Sequence, residues 1–406
     1  MPRLVNIGQL VRCLDAGPQD EIHTIKDACL EWEGDRVTWA GPTRRADPEH
    51  PAGEFDAAGK TVIPGLIDCH THLAFGGWRA EEFEQRIRGA SYQEIARQGG
   101  GISRTVRQTA ALTEEELFAR CSDFLTEMSS LGITCVECKS GYGLSSDQEL
   151  KALRVYRRLA VAQVVGIVPT FLAHIVPSGR TNDRAQYVKE ICNETIPAIA
   201  DEGLAEICDI FVEDGAFTPD EARLIAGSAR GRGLAIKLHA DQLTDGGGAR
   251  LAAELGALSA DHLEMMSEAG LEHLARSAVV AVSLPLASLY LHNRPLCARR
   301  LMQAGIPVAV ATDFNPGSAP SFHLPLAMML ACTLQRMTPA EALKGATIYA
   351  ARAIGRATER GSLEPGKRAD FAIIDAPDVL HWLYHFRANA CRATFIGGAQ
   401  VYGEPL

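Results

Sequence analysis

Long apolar runs are scarce in this sequence. The longest, Ser277–Leu291, is interrupted by Pro285 and is too short to span a bilayer. The opening residues, Met-Pro-Arg-Leu-Val-Asn-Ile-Gly, lack the apolar core of a secretory leader, so a cytoplasmic chain is expected. Basic charge is in deficit. Fifty acidic residues stand against 40 Lys and Arg, a net charge of −10. That excess argues against nucleic acid or an anionic membrane as a partner. The 11 cysteines lack the spacing of a disulfide framework. An odd number without an export signal fits a reducing compartment. Cys135-Val-Glu-Cys138 lies in a strand-like run and has no second CxxC at zinc-site spacing, so buried free thiols are expected. No glycine-rich phosphate turn follows the first strand-like segment, which counts against an open dinucleotide-binding sheet. Gly99-Gly100-Gly101 follows a helix-like stretch and reads as a loop.

What is present is an ordinary globular balance, 47% hydrophobic and 22% charged, over 406 residues. That length suits one large domain and a small one. Eight apolar segments read as strands: Val62–Cys69, Ile133–Lys139, Val165–Ala173, Glu206–Val212, Leu234–Leu238, Leu258–Asp261, Val279–Leu284 and Pro307–Thr312. Helix-like segments alternate with them. Glu114–Leu131 follows Thr113, an N-cap with Glu116 three residues on; Gln148–Leu159 and Pro219–Arg230 read similarly. Alternation of this kind predicts a parallel sheet, and eight strands predict an α/β fold with a closed (β/α)8 barrel. The chain ends differ. Cys29–Trp32 and Arg36–Trp39 flank a Glu33-Gly-Asp35 turn, and Asp370–Asp375 and Ala393–Gly397 repeat the style in the tail. Neither end holds a core alone, so both are expected to join in one small β-sandwich. The expected division is 1–57 and 358–406 for the sandwich and 58–357 for the barrel. The apolar run Leu324–Leu334 suits either core or a homodimer interface, with core preferred.

In such a barrel the site lies at the C-terminal ends of the strands. His70 and His72 end the first strand-like run, and residues i and i+2 of a strand share a face. Other runs end in His174, His239, His262 and Asp313. Three neutral imidazoles and a carboxylate suit one zinc or ferrous ion, with His70, His72, His239 and Asp313 as ligands. An ion so held leaves a position open to water, whose pKa falls from about 15.7 to roughly 7–9. His262 is placed to act as general base or to stabilise developing charge, and Asp313 to hold a proton. Alternation points Asp241 and Asp261 away from the ion, toward supporting or structural roles. Asp68 lies deeper and reads as structural.

At this point the chain resembles the metal-dependent amidohydrolase superfamily. The residues that carry the resemblance are Pro64-Gly-Leu-Ile-Asp-Cys-His-Thr-His72, then His239, His262 and Asp313 in that order. The superfamily pairs a (β/α)8 barrel with a β-sandwich built from both ends. Within it, the chain resembles the branch that opens the ring amide of 4-imidazolone-5-propanoate to N-formimidoyl-L-glutamate. That likeness runs through His72-Leu-Ala-Phe-Gly-Gly-Trp-Arg79, Lys139-Ser-Gly-Tyr-Gly-Leu144, Leu172-Ala-His174, Lys237-Leu-His-Ala-Asp-Gln242, Ser259-Ala-Asp-His262 and Thr312-Asp-Phe-Asn-Pro-Gly-Ser318. It implies that Arg79, Tyr142, His174, Gln242, Asn315, Gly317 and Ser318 contact the substrate. A guanidinium at 79 suits the propanoate. Tyr142 and His174 can hydrogen-bond ring atoms, and backbone N–H groups of the 315–318 loop could hold a carboxylate. Arg86 and Arg88 read as solvated. Many related deaminases place a glutamate at the position of Gln242, and an amide carries no proton at neutral pH. Two-metal branches use a lysine on the fourth strand, and Glu206–Asp214 has none; Lys139, on the second, would not bridge. One ion is therefore expected. The rivals are hydrolysis of another cyclic amide or amidine on the same scaffold, or a barrel kept for assembly.

Overall fold

The computed structural model describes residues 1–44, 53–90, 94, 95 and 98–405. Residues 45–52, within the expected N-terminal part of the sandwich, lie outside the described residues.

Eight parallel strands form the central sheet in sequential order: β6 (Leu66–Thr71), β7 (Ile133–Lys139), β8 (Gly166–Ala173), β9 (Ile207–Val212), β10 (Ala235–Ala240), β11 (Ser259–His262), β12 (Val280–Ser283) and β13 (Val308–Val310). Helices fill the crossovers. The helix Glu114–Ser129 starts at a full capping box, in which Thr113 and Glu116 exchange hydrogen bonds. The helix Pro219–Gly231 begins the same way at Thr218 and Glu221. The barrel closes where β6 meets the chain just beyond β13. There the Asp313 N–H donates to the His70 carbonyl at 3.0 Å and the His72 N–H to the Phe314 carbonyl at 2.9 Å. The seam that shuts the barrel therefore runs through three of the four expected metal ligands.

One expected strand divides in two. Thr61–Pro64 is β5 of the end sheet, and only from Leu66 does the chain enter the barrel. Gly65 is the breakpoint. A Cβ there would stand 2.3 Å from Thr134 Oγ1, so only glycine lets β6 and β7 approach at this corner. The continuous apolar run hid the break, because both halves are buried.

The end sheet joins both ends of the chain. Its order is β16 (Ala399–Gly403), β15 (Cys391–Ile396), β14 (Phe371–Ile374), β5, β1 (Arg3–Val11), β2 (Thr24–Glu33) and β3 (Arg36–Pro42), with β4 (Glu54–Asp56) also on β1. Trp32 on β2 and Phe371 on β14 have ring centroids 5.3 Å apart. Three strand spacings in a flat sheet would separate them by about 14 Å. The sheet therefore curls over on itself around Leu4, Leu30, Trp32, Val62, Phe371 and Phe395. The run at 324–334 forms part of the helix Leu324–Gln335 and is buried at Leu324, Ala327, Met328, Met329, Leu330 and Ala331. All 11 cysteines are free thiols, Cys135 and Cys138 buried among them.

Candidate metal centre

The strand ends deliver their side chains to one small volume. Ligand atoms of His70, His72 and His239 lie within 4.8 Å of one another, as do those of His70, His262 and Asp313. Asp313 Oδ1 stands 3.5 Å from His70 Nε2 and 3.3 Å from His72 Nε2. His70 Nε2 and His239 Nε2 are buried and have no hydrogen-bond partner among the described residues. Unpartnered imidazole nitrogens in a buried site are costly unless a cation shares them.

Beneath the histidines lies a buried ionic layer that fixes their orientation. His70 Nδ1 is 2.6 Å from Asp261 Oδ2, and His239 Nδ1 is 3.0 Å from Asp209 Oδ2. Each carboxylate thus takes one ring nitrogen and leaves the other for a ligand. Lys139 Nζ donates to Asp209 at 2.6 Å and to Glu137 at 2.9 Å, while Lys237 Nζ donates to Glu137 at 2.7 Å and lies 3.3 Å from Asp261. Burial alone would discharge Lys139, but Asp209, Glu137 and Asp261 outweigh it and keep the ammonium charged. Burial likewise works against Asp261, and Lys237 and His70 hold it ionised. Three carboxylates against two ammoniums leave the layer net negative, and Asp313 above it adds to that. His72 and His239 are pushed down by burial and stay neutral, the form that ligates a metal. A divalent cation is what this donor set and this charge balance accommodate.

Strict alternation misplaces Asp261. Ser259 and Asp261 both face the barrel interior, bonded to each other at 2.5 Å. It is His262 that leaves the strand conformation, at φ 81°. The supporting role expected of Asp261 stands, but its carboxylate points inward. Asp241 accepts the N–H groups of Gly246, Gly248 and Ala249, capping the helix Gly248–Leu255. Asp68 accepts from the Thr312 N–H and hydroxyl, and burial pushes its carboxyl up to about 6.

Two of the remaining candidates stand beside His72. The rings of Tyr142 and His174 lie 5.9 and 5.8 Å from that of His72. His174 Nδ1 meets the Gly141 carbonyl at 3.1 Å, so that nitrogen carries the proton and Nε2 offers a lone pair. Burial and then His72 push His174 down to about 3. Tyr142 stays a phenol, because burial raises it. Its turn is held by Glu149, which accepts the Gly141, Gly143 and Leu144 N–H groups at 2.7 Å each. Gln242 is partly exposed, and its backbone N–H donates to Glu213.

The 315–318 loop differs from expectation. Its Gly317 and Ser318 N–H groups both donate to Asn315 Oδ1 at 2.8 Å, so they are engaged within the loop itself. The Ser318 hydroxyl donates to Asp313 Oδ2 at 3.3 Å. Arg79 lies directly against Gly317: a Cβ there would fall 1.5 Å from Arg79 Nη2. Arg86, expected in solvent, lies over the Tyr290 ring and donates to the Gly317 carbonyl at 3.4 Å. Sequence reasoning missed Glu137, Asp209, Lys237, Glu149 and Glu213. Charged residues inside the apolar runs 133–139 and 234–238 were the available signal, since such groups are buried only when paired.

Comparison with known proteins agrees with this geometry. Residues 61–401 match the amidohydrolase family. An imidazolonepropionase of Geobacillus thermodenitrificans is 48% identical over 362 residues, covering 89% of this chain and 85% of that protein. One of Anaeromyxobacter sp. (strain K) is 45% identical over 408 residues, 99% of this chain and 96% of its own. Among solved structures, the zinc complex of an atrazine chlorohydrolase from Arthrobacter aurescens matches with a TM-score of 0.75 at 16% identity, covering 99% and 95% of the two chains. An adenosine deaminase from Xanthomonas campestris with bound zinc matches at 0.70 and 19%, covering 98% and 92%. At those identities the structural likeness speaks to the fold alone.

Proposed function

The chain belongs to the amidohydrolase family, and on that footing we propose that it hydrolyses the ring amide of 4-imidazolone-5-propanoate to N-formimidoyl-L-glutamate, the imidazolonepropionase reaction and third step of histidine degradation. It is a hydrolase of carbon–nitrogen bonds in cyclic amides that uses a divalent metal. One observation carries the substrate reading: a guanidinium clamp, Arg79 on Gly317, is joined through Ser318 to Asp313 of the metal-ligand cluster. A carboxylate-bearing ring is held by one end and presented by the other.

His70, His72, His239 and Asp313 would hold the ion, either zinc or ferrous, as their unpartnered buried nitrogens indicate. Bound there, it supplies Lewis acidity and makes water more acidic. The protein's own residues do the rest. Arg79 pairs with the propanoate. His174 Nε2 accepts a ring N–H, and the Tyr142 hydroxyl donates to a ring acceptor. Water oxygen bonds to the ring carbonyl carbon, the carbon–nitrogen bond breaks, and the leaving ring nitrogen takes a proton. His262 and Asp313 move that proton, since Gln242 cannot. Eleven free thiols and the acidic net charge support a cytoplasmic enzyme without a nucleic-acid partner. Among the described residues no helix is long and apolar enough to cross a membrane.

The test is turnover of 4-imidazolone-5-propanoate beside hydantoins and guanine. Wild type should open the imidazolone ring far faster than the others. His239→Ala should lose metal and activity together, whereas Arg79→Ala should keep metal and bind substrate poorly. A preference for another ring, or full turnover by Arg79→Ala, overturns the reading.

A further inference from the structure

At the end of β11 the chain makes a costly turn. His262 and Leu263 are consecutive non-glycine residues with positive φ, 81° and 69°. An L side chain in that region crowds its own backbone, and two in succession persist only where surrounding structure enforces them. The turn is pinned to the neighbouring strand end: the Leu263 N–H donates to the Ala240 carbonyl at 3.0 Å, and the Met265 N–H to the Asp241 carbonyl at 2.8 Å. Its effect is to fold Glu264 back beside the histidine two residues earlier. Glu264 Oε2 lies 3.5 Å from His262 Nδ1, and both side chains are buried. Neither atom makes a hydrogen bond among the described residues, so each is the other's nearest available partner. The second oxygen of Glu264 accepts from the Ser288 hydroxyl at 3.3 Å, on the helix Pro285–Leu291.

Two buried polar atoms 3.5 Å apart and otherwise unpartnered can satisfy each other only when the proton sits on Nδ1. That choice leaves His262 Nε2 as a lone pair on the opposite side of the ring. The ring itself stands 5.8 Å from that of His70 and 5.5 Å from that of His239. We propose that Glu264 is a positioning residue for hydrolysis: it fixes the tautomer and orientation of His262, so that Nε2 is the nitrogen offered to the reacting atoms. Ser288 in turn holds Glu264. The inference rests on the proton-carrying role given to His262 above. It accounts for the strained turn, because a relaxed strand exit would carry residue 264 away from the ring.

The test is a mutant cycle in the metal-loaded enzyme. Glu264→Ala should lower kcat by about tenfold or more, since a misoriented general base forfeits much of its contribution. KM and metal content should stay near wild type, with a fold that still binds metal. Glu264→Gln keeps an oxygen that accepts from Nδ1–H and should restore most of the rate. In a His262→Ala background, Glu264→Ala should cost nothing further. An unchanged kcat in Glu264→Ala, or the same loss in both backgrounds, overturns the proposal. Nitrogen-15 spectra of histidine-labelled, zinc-loaded protein give a readout independent of substrate. Wild-type His262 should show the Nδ1–H tautomer, and Glu264→Ala should shift toward Nε2–H. An unshifted tautomer overturns the role of Glu264. Failure of wild type to open the imidazolone ring overturns only the substrate assignment, and the spectra still decide on Glu264.

Discussion

Asp261 Oδ2 and His70 Nδ1 are 2.6 Å apart in a fully buried site. The residues are separated by most of the barrel in sequence, yet the carboxylate decides which imidazole nitrogen is left for a metal. Asp209 does the same for His239. Asp261→Asn should keep the packing but weaken the proton acceptor for His70. Metal affinity should fall about 10–100-fold, the usual cost of losing such a partner. Competitive chelator titration checks this. Asp261→Ala should cost more, about 3–5 kcal/mol of stability, because Lys237 loses a buried counter-charge.

Gly317 is required for lack of bulk. An added Cβ falls 1.5 Å from Arg79 Nη2, so Gly317→Ala must displace the guanidinium. Losing a charge-assisted contact is worth about 1.5–3 kcal/mol, so KM should rise about 10–100-fold. Metal content should not change. Steady-state kinetics on the imidazolone, with metal analysis of the same sample, measures both.

His174 should make stability depend on pH. Burial and then His72 lower it from 6.5 to about 3. The unfolded chain takes up a proton below pH 6.5, whereas the folded chain refuses it until about pH 3. Stability is therefore complete above pH 6.5 and falls as pH drops, by about 1.4 kcal/mol per unit from this group. Urea unfolding at pH 7.5 and pH 5 should show a larger loss for wild type than for His174→Asn, by about 2 kcal/mol.

Metal removal should destabilise the fold as well as stop the reaction. The net negative ionic layer and the unpartnered His70 and His239 nitrogens lose their counter-charge. At a free metal concentration of about 100 times Kd, linkage gives about 2.7 kcal/mol of added stability. Chelated protein should melt lower, and added zinc should restore the transition. The same melting temperature with and without metal would remove the ion from the site.

The sequence by itself determined the barrel, because hydrophobic periodicity and capping are local: the run at 133–139 forms β7, and Thr113 and Glu116 cap the helix at 114–129. It also determined which side chains stand at the strand ends, since alternation places His70 and His72 on one face. Only the tertiary structure decided how those side chains are held. Gly65 breaks one apolar run because Thr134 on another strand leaves no room for a Cβ. Asp261 turns inward because Lys237, Ser259 and His70 surround it. Glu137 and Asp209 acquire their charged partners, and Glu264 its Ser288 hydroxyl, only when separate strands and helices meet. Periodicity is a property of neighbouring residues along the chain. The pairing of buried charges depends on distances between segments, and those exist only once the barrel has closed.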